Sequence, residues 1–191
     1  MGRAPRQPAV AAADVQIAVL AGRKPNEHLA RWMRQFPDPW VSEGAPSRAE
    51  IPAARNAIVR RYLAVSPRPW LWMLDDDVVP IAATAELLLC PSPVAGARIV
   101  SRTGLEAHPH CLSAACLKVR RDVLEAVGDP WFRYPRAGGC ECSWFFHRAC
   151  CAGFRAVKAG VVGHRFRVVV LPGPSYRLDA EIRTAALDAG L

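Results

Sequence analysis

The sequence predicts an α/β fold in which a central sheet is flanked by helices. Two apolar runs of strand length, Val15–Leu20 and Trp70–Leu74, are unbroken, as is typical of strands buried on both faces. Between them, apolar residues recur at helical spacing, as in Leu29, Trp32, Met33 and Phe36. Strand and helix patterns alternate over 191 residues, which is a suitable length for one domain with one core.

The same patterns place the remaining elements. Helices are predicted at residues 27–36, 53–65, 82–89 and 143–152, just before Gly128, and at 178–189. Further strands are predicted at residues 97–101, 111–119, 154–158 and 168–171, and residues 161–164 form a short apolar run that ends in a histidine. Residues 1–13 are rich in Ala, Pro and Arg without any period, which predicts a disordered basic tail before a single domain at 14–191.

The charge of the chain is unevenly distributed. The net charge is +8 and the pI is near 9.5, which favours an anionic partner. From Cys142 to Arg177 there is no acidic residue, but there are six basic ones: Arg148, Arg155, Lys158, Arg165, Arg167 and Arg177. This stretch is either an anion-binding face or a generally soluble basic surface.

Cysteine content and hydropathy bear on location. The seven cysteines are an odd number, most of them lie among apolar residues, and no signal-peptide pattern is present. They are therefore interpreted as reduced cysteines of a cytoplasmic protein. No uncharged apolar stretch reaches the 18 or so residues of a membrane span, so no membrane partner is expected.

Three consecutive carboxylates, Asp75, Asp76 and Asp77, follow the tryptophan-rich run, and Val78-Val79-Pro80 then restarts the apolar pattern. Adjacent carboxylates repel one another, so their position at the end of a buried strand needs a compensating partner. Ligands of open α/β sheets collect at the carboxyl ends of the strands. A hard divalent cation shared with a phosphate is such a partner, although an acidic surface turn is the alternative.

A second candidate region precedes that strand. Ser47 and Glu50 have the spacing of a capping box, which predicts that a helix begins after them. Arg55 and Asn56 lie near the start of that helix, where they can reach a phosphate or base of a bound nucleotide. A solvent-facing helix charge is the alternative for Arg55.

Two later residues complete a constellation with the carboxylates. Glu141 follows the glycine loop at 137–139, where it can reach an acceptor as a general base. His164 ends a short apolar run and can share one divalent metal with Asp77, while Asp75 can hold a ribose hydroxyl or help to bind the metal.

Two zinc interpretations are weaker. His108 and His110 lie next to Cys111 in a predicted loop, and a loop histidine pair without metal is favoured there. A second cluster surrounds a Cys-x-Cys pair, but its spacing is not that of a standard zinc knuckle: Cys140, Cys142, His147, Cys150 and Cys151.

Taken in order, several segments resemble a compact GT-A glycosyltransferase of the family 2 type. They are Ala54-Arg55-Asn56, residues 72–80, residues 115–124, Gly139-Cys140-Glu141 through Gly153, and Gly163-His164. The resemblance spans residues 15–166 and is most specific at Asp75–Asp77 and in the ordered spacing that follows.

The resemblance implies a GT-A-like, Rossmann-type mixed sheet and a nucleotide diphosphate sugar as donor. By the family's Asp-x-Asp motif, Asp77 and His164 are expected to hold Mn²⁺ or Mg²⁺. Glu141 is expected to be the acceptor base, and the donor is expected to contact Arg55, Asn56, Asp75 and Asp76. One departure matters: the family has Glu-Asp where this chain has either Cys140-Glu141 or Glu141-Cys142.

The expected activity is therefore metal-dependent transfer of a sugar, from a UDP-sugar in the first instance, to an acceptor hydroxyl. The first expected acceptor is 5-hydroxymethylpyrimidine in double-stranded DNA of the phage type, whose phosphates would meet Arg165 and Arg167. The alternative acceptor is a saccharide or an envelope glycan. Two other classes stay open: a non-catalytic nucleotide or nucleic-acid binding module, and a nucleotidyltransferase.

Overall fold

The structure is a computed structural model, and it describes residues 10–22, 25–42, 47–100, 106–107, 112–135 and 140–164. The strands in these residues are β1 (Val15–Leu20), β2 (Trp40–Ser42), β3 (Trp70–Asp75), β4 (Val78–Pro80), β5 (Val94–Val100), β6 (Glu106–Ala107), β7 (Cys116–Arg120) and β8 (Ala156–His164). The α-helices are α1 (Glu27–Met33), α2 (Ile51–Val65), α3 (Ala85–Leu89), α4 (Arg121–Val127) and α5 (Glu141–Cys151).

All eight strands form one mixed sheet, in the order β2-β1-β3-β7-β5-β8-β4, with β6 paired to β5. Strands β2, β1 and β3 are parallel, as are β5 and β8. Strand β7 is antiparallel to both of its neighbours, and β4 is antiparallel to β8. The predicted α/β class with a mixed, helix-flanked sheet in a single domain is confirmed.

Helices cover both faces of the sheet, and β3 shows why. Its side chains alternate, so that Trp72 and Leu74 pack toward α1 and α3, whereas Leu71 and Met73 pack toward α2, α4 and α5. All five apolar residues of β3 are buried, as the unbroken apolar run predicted. Within the part of the chain that the structure describes, no helix is long and apolar enough to cross a membrane.

Several element boundaries differ from the sequence predictions. The three-residue edge strand β2 was not predicted, because it is too short to show a period. The predicted strand at 154–158 and the apolar run at 161–164 belong to one strand, β8, whose pattern is interrupted at Gly160, where φ is +70°. The register of β8 against β5 shifts near this position. The strand at 168–171 and the helix at 178–189 lie outside the described residues.

Ordered structure also begins earlier than predicted. Val10 is buried in the core, and Ala12–Asp14 form a 3₁₀ helix, although the sequence pattern placed both within a tail. The apolar side chain of Val10 therefore packs with the core of the domain. Residues 1–9 lie outside the described residues.

Candidate active site

The three carboxylates lie where β3 ends. Asp75 is the last residue of β3, next to Leu20 at the end of the parallel strand β1. Asp76 and Asp77 form the turn into β4. The backbone N–H of Asp75 donates to the carbonyl of Ala115 at 2.9 Å, which ties the turn to the segment before β7. The acidic turn is thus fixed at the carboxyl edge of the sheet.

His164 is brought to this turn by strand pairing. In the antiparallel pair of β4 and β8, Val78 lies opposite His164, so the imidazole reaches the residue before Val78. His164 Nε2 lies 3.2 Å from Asp77 Oδ1, and Asp77 is only 5% exposed. Burial raises the pKa of Asp77, while His164 pulls it down. The predicted neighbours Asp77 and His164 are adjacent in the fold.

Arg55 lies behind the acidic turn and is 2% exposed, so the alternative of a solvent-facing helix charge is wrong. Its guanidinium donates to Asp75 Oδ1 at 2.8 Å and to the carbonyl of Ala114 at 2.9 Å. Arg55 Nε lies 3.4 Å from Glu141 Oε1, without the alignment of a hydrogen bond. A single buried cation therefore connects the first carboxylate of the turn with the candidate base.

Asn56 has a different role from the one expected. Its side-chain amide donates to the carbonyl of Phe132 at 2.9 Å and accepts from the N–H of Phe132 at 2.9 Å. Asn56 is 6% exposed, so these paired bonds occupy a buried amide. The contacts give direct nucleotide binding by Asn56 no support, and they make it an anchor for the segment before the glycine loop.

The middle carboxylate is held by a loop that follows β1. The N–H of Gly22 donates to Asp76 Oδ2 at 3.1 Å. Asn26 donates through its amide to the carbonyls of Asp76 and Val78, at 3.2 and 2.8 Å, and also caps α1 by accepting from the N–H of Leu29. In the sequence, the position of Asn26 before a helical pattern indicates only a helix cap, so its contacts with the acidic turn could not be predicted.

Glu141 begins α5 and is 7% exposed. Besides Arg55, its Oε1 contacts the thiol of Cys142 at 3.6 Å. The Cys142 sulfur in turn accepts from the N–H of Ala114 at 3.3 Å. The candidate base is therefore packed against the same segment that supports Asp75, and its two recorded contacts are both made by Oε1.

The donor set of the acidic turn fits a hard divalent cation that is completed by a substrate. Asp77 and His164 offer a carboxylate oxygen and an imidazole nitrogen side by side, which suits Mn²⁺ and tolerates Mg²⁺. Burial also raises the pKa of Asp75, against the pull of Arg55, so a nearby cation would stabilise both carboxylates. A metal here would need further oxygens, as a diphosphate and water provide.

The cysteine cluster around α5 is the other candidate metal site. Among the described residues, those of the acidic turn included, no group of three or more His, Cys, Asp or Glu side chains is placed to hold a metal ion. In the cysteine cluster, Cys151 lies 3.7 Å from His147, but the Cys-x-Cys pair lies at the opposite end of α5. These positions give the zinc interpretation of this cluster no support. His108, His110 and Cys111 lie outside them, as do Arg165 and Arg167.

A cavity of about 480 Å³ lies between α2 and the edge of the sheet. Its walls include Ala18 of β1, Trp40 and Ser42 of β2, and Ala54, Ile58 and Arg61 of α2. The Arg61 guanidinium lies 4.3 Å from the centre of the Trp40 ring. This volume is in the range of small-ligand sites, and the cavity adjoins the helix that carries Arg55.

The sequence matches no family model and no curated protein. Among solved structures, it is similar to A197 from STIV, with a TM-score of 0.57, 14% identity, and coverage of 80% of this chain and 86% of that one. It is also similar to a Drosophila β-1,4-galactosyltransferase 7 mutant in complex with manganese, UDP-Gal and xylobiose (TM-score 0.52, 16% identity, 80% and 71% coverage). The catalytic domain of the same enzyme with xylobiose gives a TM-score of 0.52 at 15% identity, with 90% and 78% coverage. At these identities the likeness shows the fold, which is a GT-A-like α/β fold.

Proposed function

We propose that this protein is a metal-dependent glycosyltransferase that moves a sugar from a UDP-sugar to an acceptor hydroxyl. The observation that carries the proposal is the pair Asp77 and His164, 3.2 Å apart, at the carboxyl edge of a GT-A-like sheet. A neighbour with this fold was solved with manganese and UDP-Gal. Two observations therefore support the proposal. Asp77 and His164 are suited to bind a divalent cation, and a neighbour with the same fold binds a nucleotide sugar.

In this proposal Asp77 and His164 are the protein's ligands to Mn²⁺ or Mg²⁺. The bound cation supplies positive charge to the leaving diphosphate of the donor. Asp75 is held in place by Arg55, and Asp76 by the N–H of Gly22, so both carboxylates keep their orientation when the donor enters. Fixed groups of this kind lower the cost of reorganisation during the reaction.

The donor's base and ribose would occupy the cavity beside α2. Trp40 offers a ring face for stacking, and Ser42 and Arg61 offer polar contacts at the same cavity wall. The cavity lies against parallel strands β1 and β2, and ligands of α/β sheets collect toward the carboxyl ends of such strands. In this placement the base of the donor lies near Trp40 and its diphosphate lies near the acidic turn.

Glu141 is the group that we assign to proton removal from the acceptor hydroxyl. Arg55 Nε lies 3.4 Å from Oε1, so Oε2 is the oxygen that we assign to take the proton. The neighbouring thiol of Cys142 also contacts Oε1. Glu141 thus keeps a carboxylate at the start of α5, where the family pattern has Glu-Asp.

For the acceptor we propose a saccharide hydroxyl. Both galactosyltransferase structures were solved with xylobiose, which is a saccharide. The expectation of hydroxymethylpyrimidine DNA came from the basic charge of the chain and a phage-type resemblance, and its two named phosphate contacts, Arg165 and Arg167, lie outside the described residues. DNA therefore enters the test as a second acceptor.

The test is a UDP-release assay of the full chain with Mn²⁺, a panel of UDP-sugars, and either xylobiose and related saccharides or hydroxymethylcytosine DNA. Acceptor-dependent UDP release is expected with at least one donor. D77N should lower it by more than about a hundredfold, since even outer-shell partners of metal ligands cost 10- to 100-fold. The matched control is D122N, because Asp122 binds Arg120 at the opposite end of β3 from the acidic turn.

Three results would overturn parts of the proposal. No UDP release with any donor, together with retained nucleotide binding, identifies a non-catalytic module. Release of pyrophosphate from a nucleoside triphosphate identifies a nucleotidyltransferase. Transfer to DNA alone retains the enzyme class and replaces the saccharide acceptor.

A further inference from the structure

Two thiols meet at the start of α5. Cys140 is the N-cap residue, with extended backbone angles (φ −98°, ψ 159°), and Cys142 is the second residue of the helix. Their Cα atoms are two residues apart, so they are separated by at most about 7 Å. Disulfides typically join Cα atoms 4.4–6.8 Å apart, so this sequence separation is compatible with a bond between the two sulfurs. Cys140 flanks the first turn of α5 and Cys142 lies within it, which keeps both thiols at the same end of the helix.

The two thiols differ in access and in acidity. Cys140 is half-buried and can be reached from solvent, whereas Cys142 is 7% exposed and is anchored by the N–H of Ala114. Hydrogen bonding from Cys142 lowers the pKa of Cys140 to about 5, helped by backbone N–H groups at the helix start. Burial and the same hydrogen bond raise the pKa of Cys142. One thiol is thus an accessible thiolate, and its neighbour is a protected thiol.

Three other cysteines of the described residues lack this arrangement. Cys116 is fully buried beside Trp72, and burial raises its pKa to about 12. Cys150 and Cys151 are exposed, but they lie in the last turn of α5, where the helix presents carbonyl groups rather than N–H groups. The geometry of an attacking thiol with a resolving thiol beside it is found at the Cys-x-Cys pair.

We infer that Cys140 and Cys142 form a reversible thiol–disulfide pair that exchanges with a low-molecular-weight disulfide such as oxidised glutathione. The Cys140 thiolate attacks one glutathione sulfur, forms a mixed disulfide and releases one glutathione thiolate. The Cys142 thiol then gives up its proton, which Glu141 Oε1 is placed to receive at 3.6 Å, and attacks the Cys140 sulfur. A second glutathione leaves and takes up the proton, so two thiols are oxidised and one disulfide is reduced.

The exchange has a consequence for the candidate base. Joining the two sulfurs removes the contact of the Cys142 thiol with Glu141 and tightens the chain on both sides of that residue. Glu141 would then move relative to Arg55, whose Nε lies 3.4 Å from Glu141 Oε1. The effect on sugar transfer rests on the proposed function, whereas the thiol chemistry does not.

The experiment uses the full chain with Cys150 and Cys151 replaced by serine, incubated with oxidised glutathione under native conditions and then alkylated. Trypsin cleavage after Arg136 and Arg148 gives a peptide of residues 137–148, whose only cysteines are Cys140 and Cys142. The expected peptide is lighter than the reduced one by two hydrogens and is restored by dithiothreitol. C142S should accumulate one glutathione on Cys140, and C140S should leave Cys142 unmodified.

A second measurement needs no variant at the pair. In the native chain at pH 6.5, iodoacetamide should modify Cys140 at least about tenfold faster than Cys150 or Cys151, because only a thiolate reacts. Equal rates, or a 137–148 peptide that stays reduced, would overturn the inference, as would glutathione on Cys142 in C140S. The mass of the peptide is measured without any sugar donor. Failure of the thiol–disulfide inference is therefore distinguishable from failure of the proposed sugar transfer, which is measured by UDP release.

Discussion

Two regions of this molecule bury charged side chains, and they do so in opposite ways. At the carboxyl edge of β3, several carboxylates gather around Arg55 and His164, and burial raises the pKa of both Asp75 and Asp77. On β7, Lys118 is fully buried, and its ammonium donates to the carbonyls of Leu88 and Cys90 at 2.7 and 2.6 Å. In the first region several carboxylates lie close together. In the second, two carbonyl groups accept hydrogen bonds from a single ammonium group.

The surroundings of Lys118 explain why it needs no ligand. Leu88 and Cys90 lie at the carboxyl end of α3, where free carbonyls favour a cation. The ammonium also lies 4.6 Å from the centre of the Trp70 ring. Burial still lowers the pKa of Lys118 to about 8. The charge of Lys118 is therefore structural, whereas the proposed function gives the carboxylates of the acidic turn a role in binding metal and substrate.

The largest expected effect comes from removing the cation behind the acidic turn. R55M leaves Asp75 and Glu141 without their shared partner, and breaking a buried ion pair on one side costs about 3 kcal/mol of unfolding free energy. Urea denaturation measures it. The matched control is R60M, because Arg60 pairs with Asp129 at the surface and should change stability little. Equal effects of the two substitutions would show that Arg55 does not compensate buried carboxylates.

A smaller effect on the free energy of unfolding is expected at Lys118, where stability depends on pH because folding changes the pKa of the lysine. Because the pKa is lowered from 10.5 to about 8 on folding, the unfolded chain binds more protons between these values, and stability rises with pH in that window. The rise should approach about 1.4 kcal/mol per pH unit, since one pKa unit corresponds to that energy. Urea unfolding of the native protein and K118M at pH 7.5–9.5 measures it. Parallel curves for the two proteins would contradict a buried, charged lysine.

Much of the fold could be predicted because its signals are local. The unbroken apolar run of β3 predicted a strand buried on both faces, and the position of the carboxylates after it followed directly. The predicted capping box is present, since the Glu50 carboxylate accepts hydrogen bonds from the Ser47 N–H and hydroxyl. It precedes a 3₁₀ turn that leads into α2. Such features depend on a few neighbouring residues.

The parts that sequence reasoning missed depend on residues far apart in the chain. The burial of Arg55 requires Asp75 and Glu141, which β3 and α5 bring together from opposite sides. The amide bonds of Asn56 require Phe132, 76 residues away. The pairing of Asp77 with His164 was expected from the resemblance, and β4–β8 pairing supplies its physical cause. Spacing alone carries no information on such contacts.

The central claim is that Asp77 and His164 hold a divalent cation together with a nucleotide diphosphate. The most direct measurement is a titration of Mn²⁺ by electron paramagnetic resonance, with and without UDP, on the native protein, D77N and D122N. UDP should strengthen Mn²⁺ binding by the native protein and by D122N, and D77N should weaken Mn²⁺ binding more than about a hundredfold. Mn²⁺ binding that is unaffected by D77N, or that ignores UDP, would contradict it.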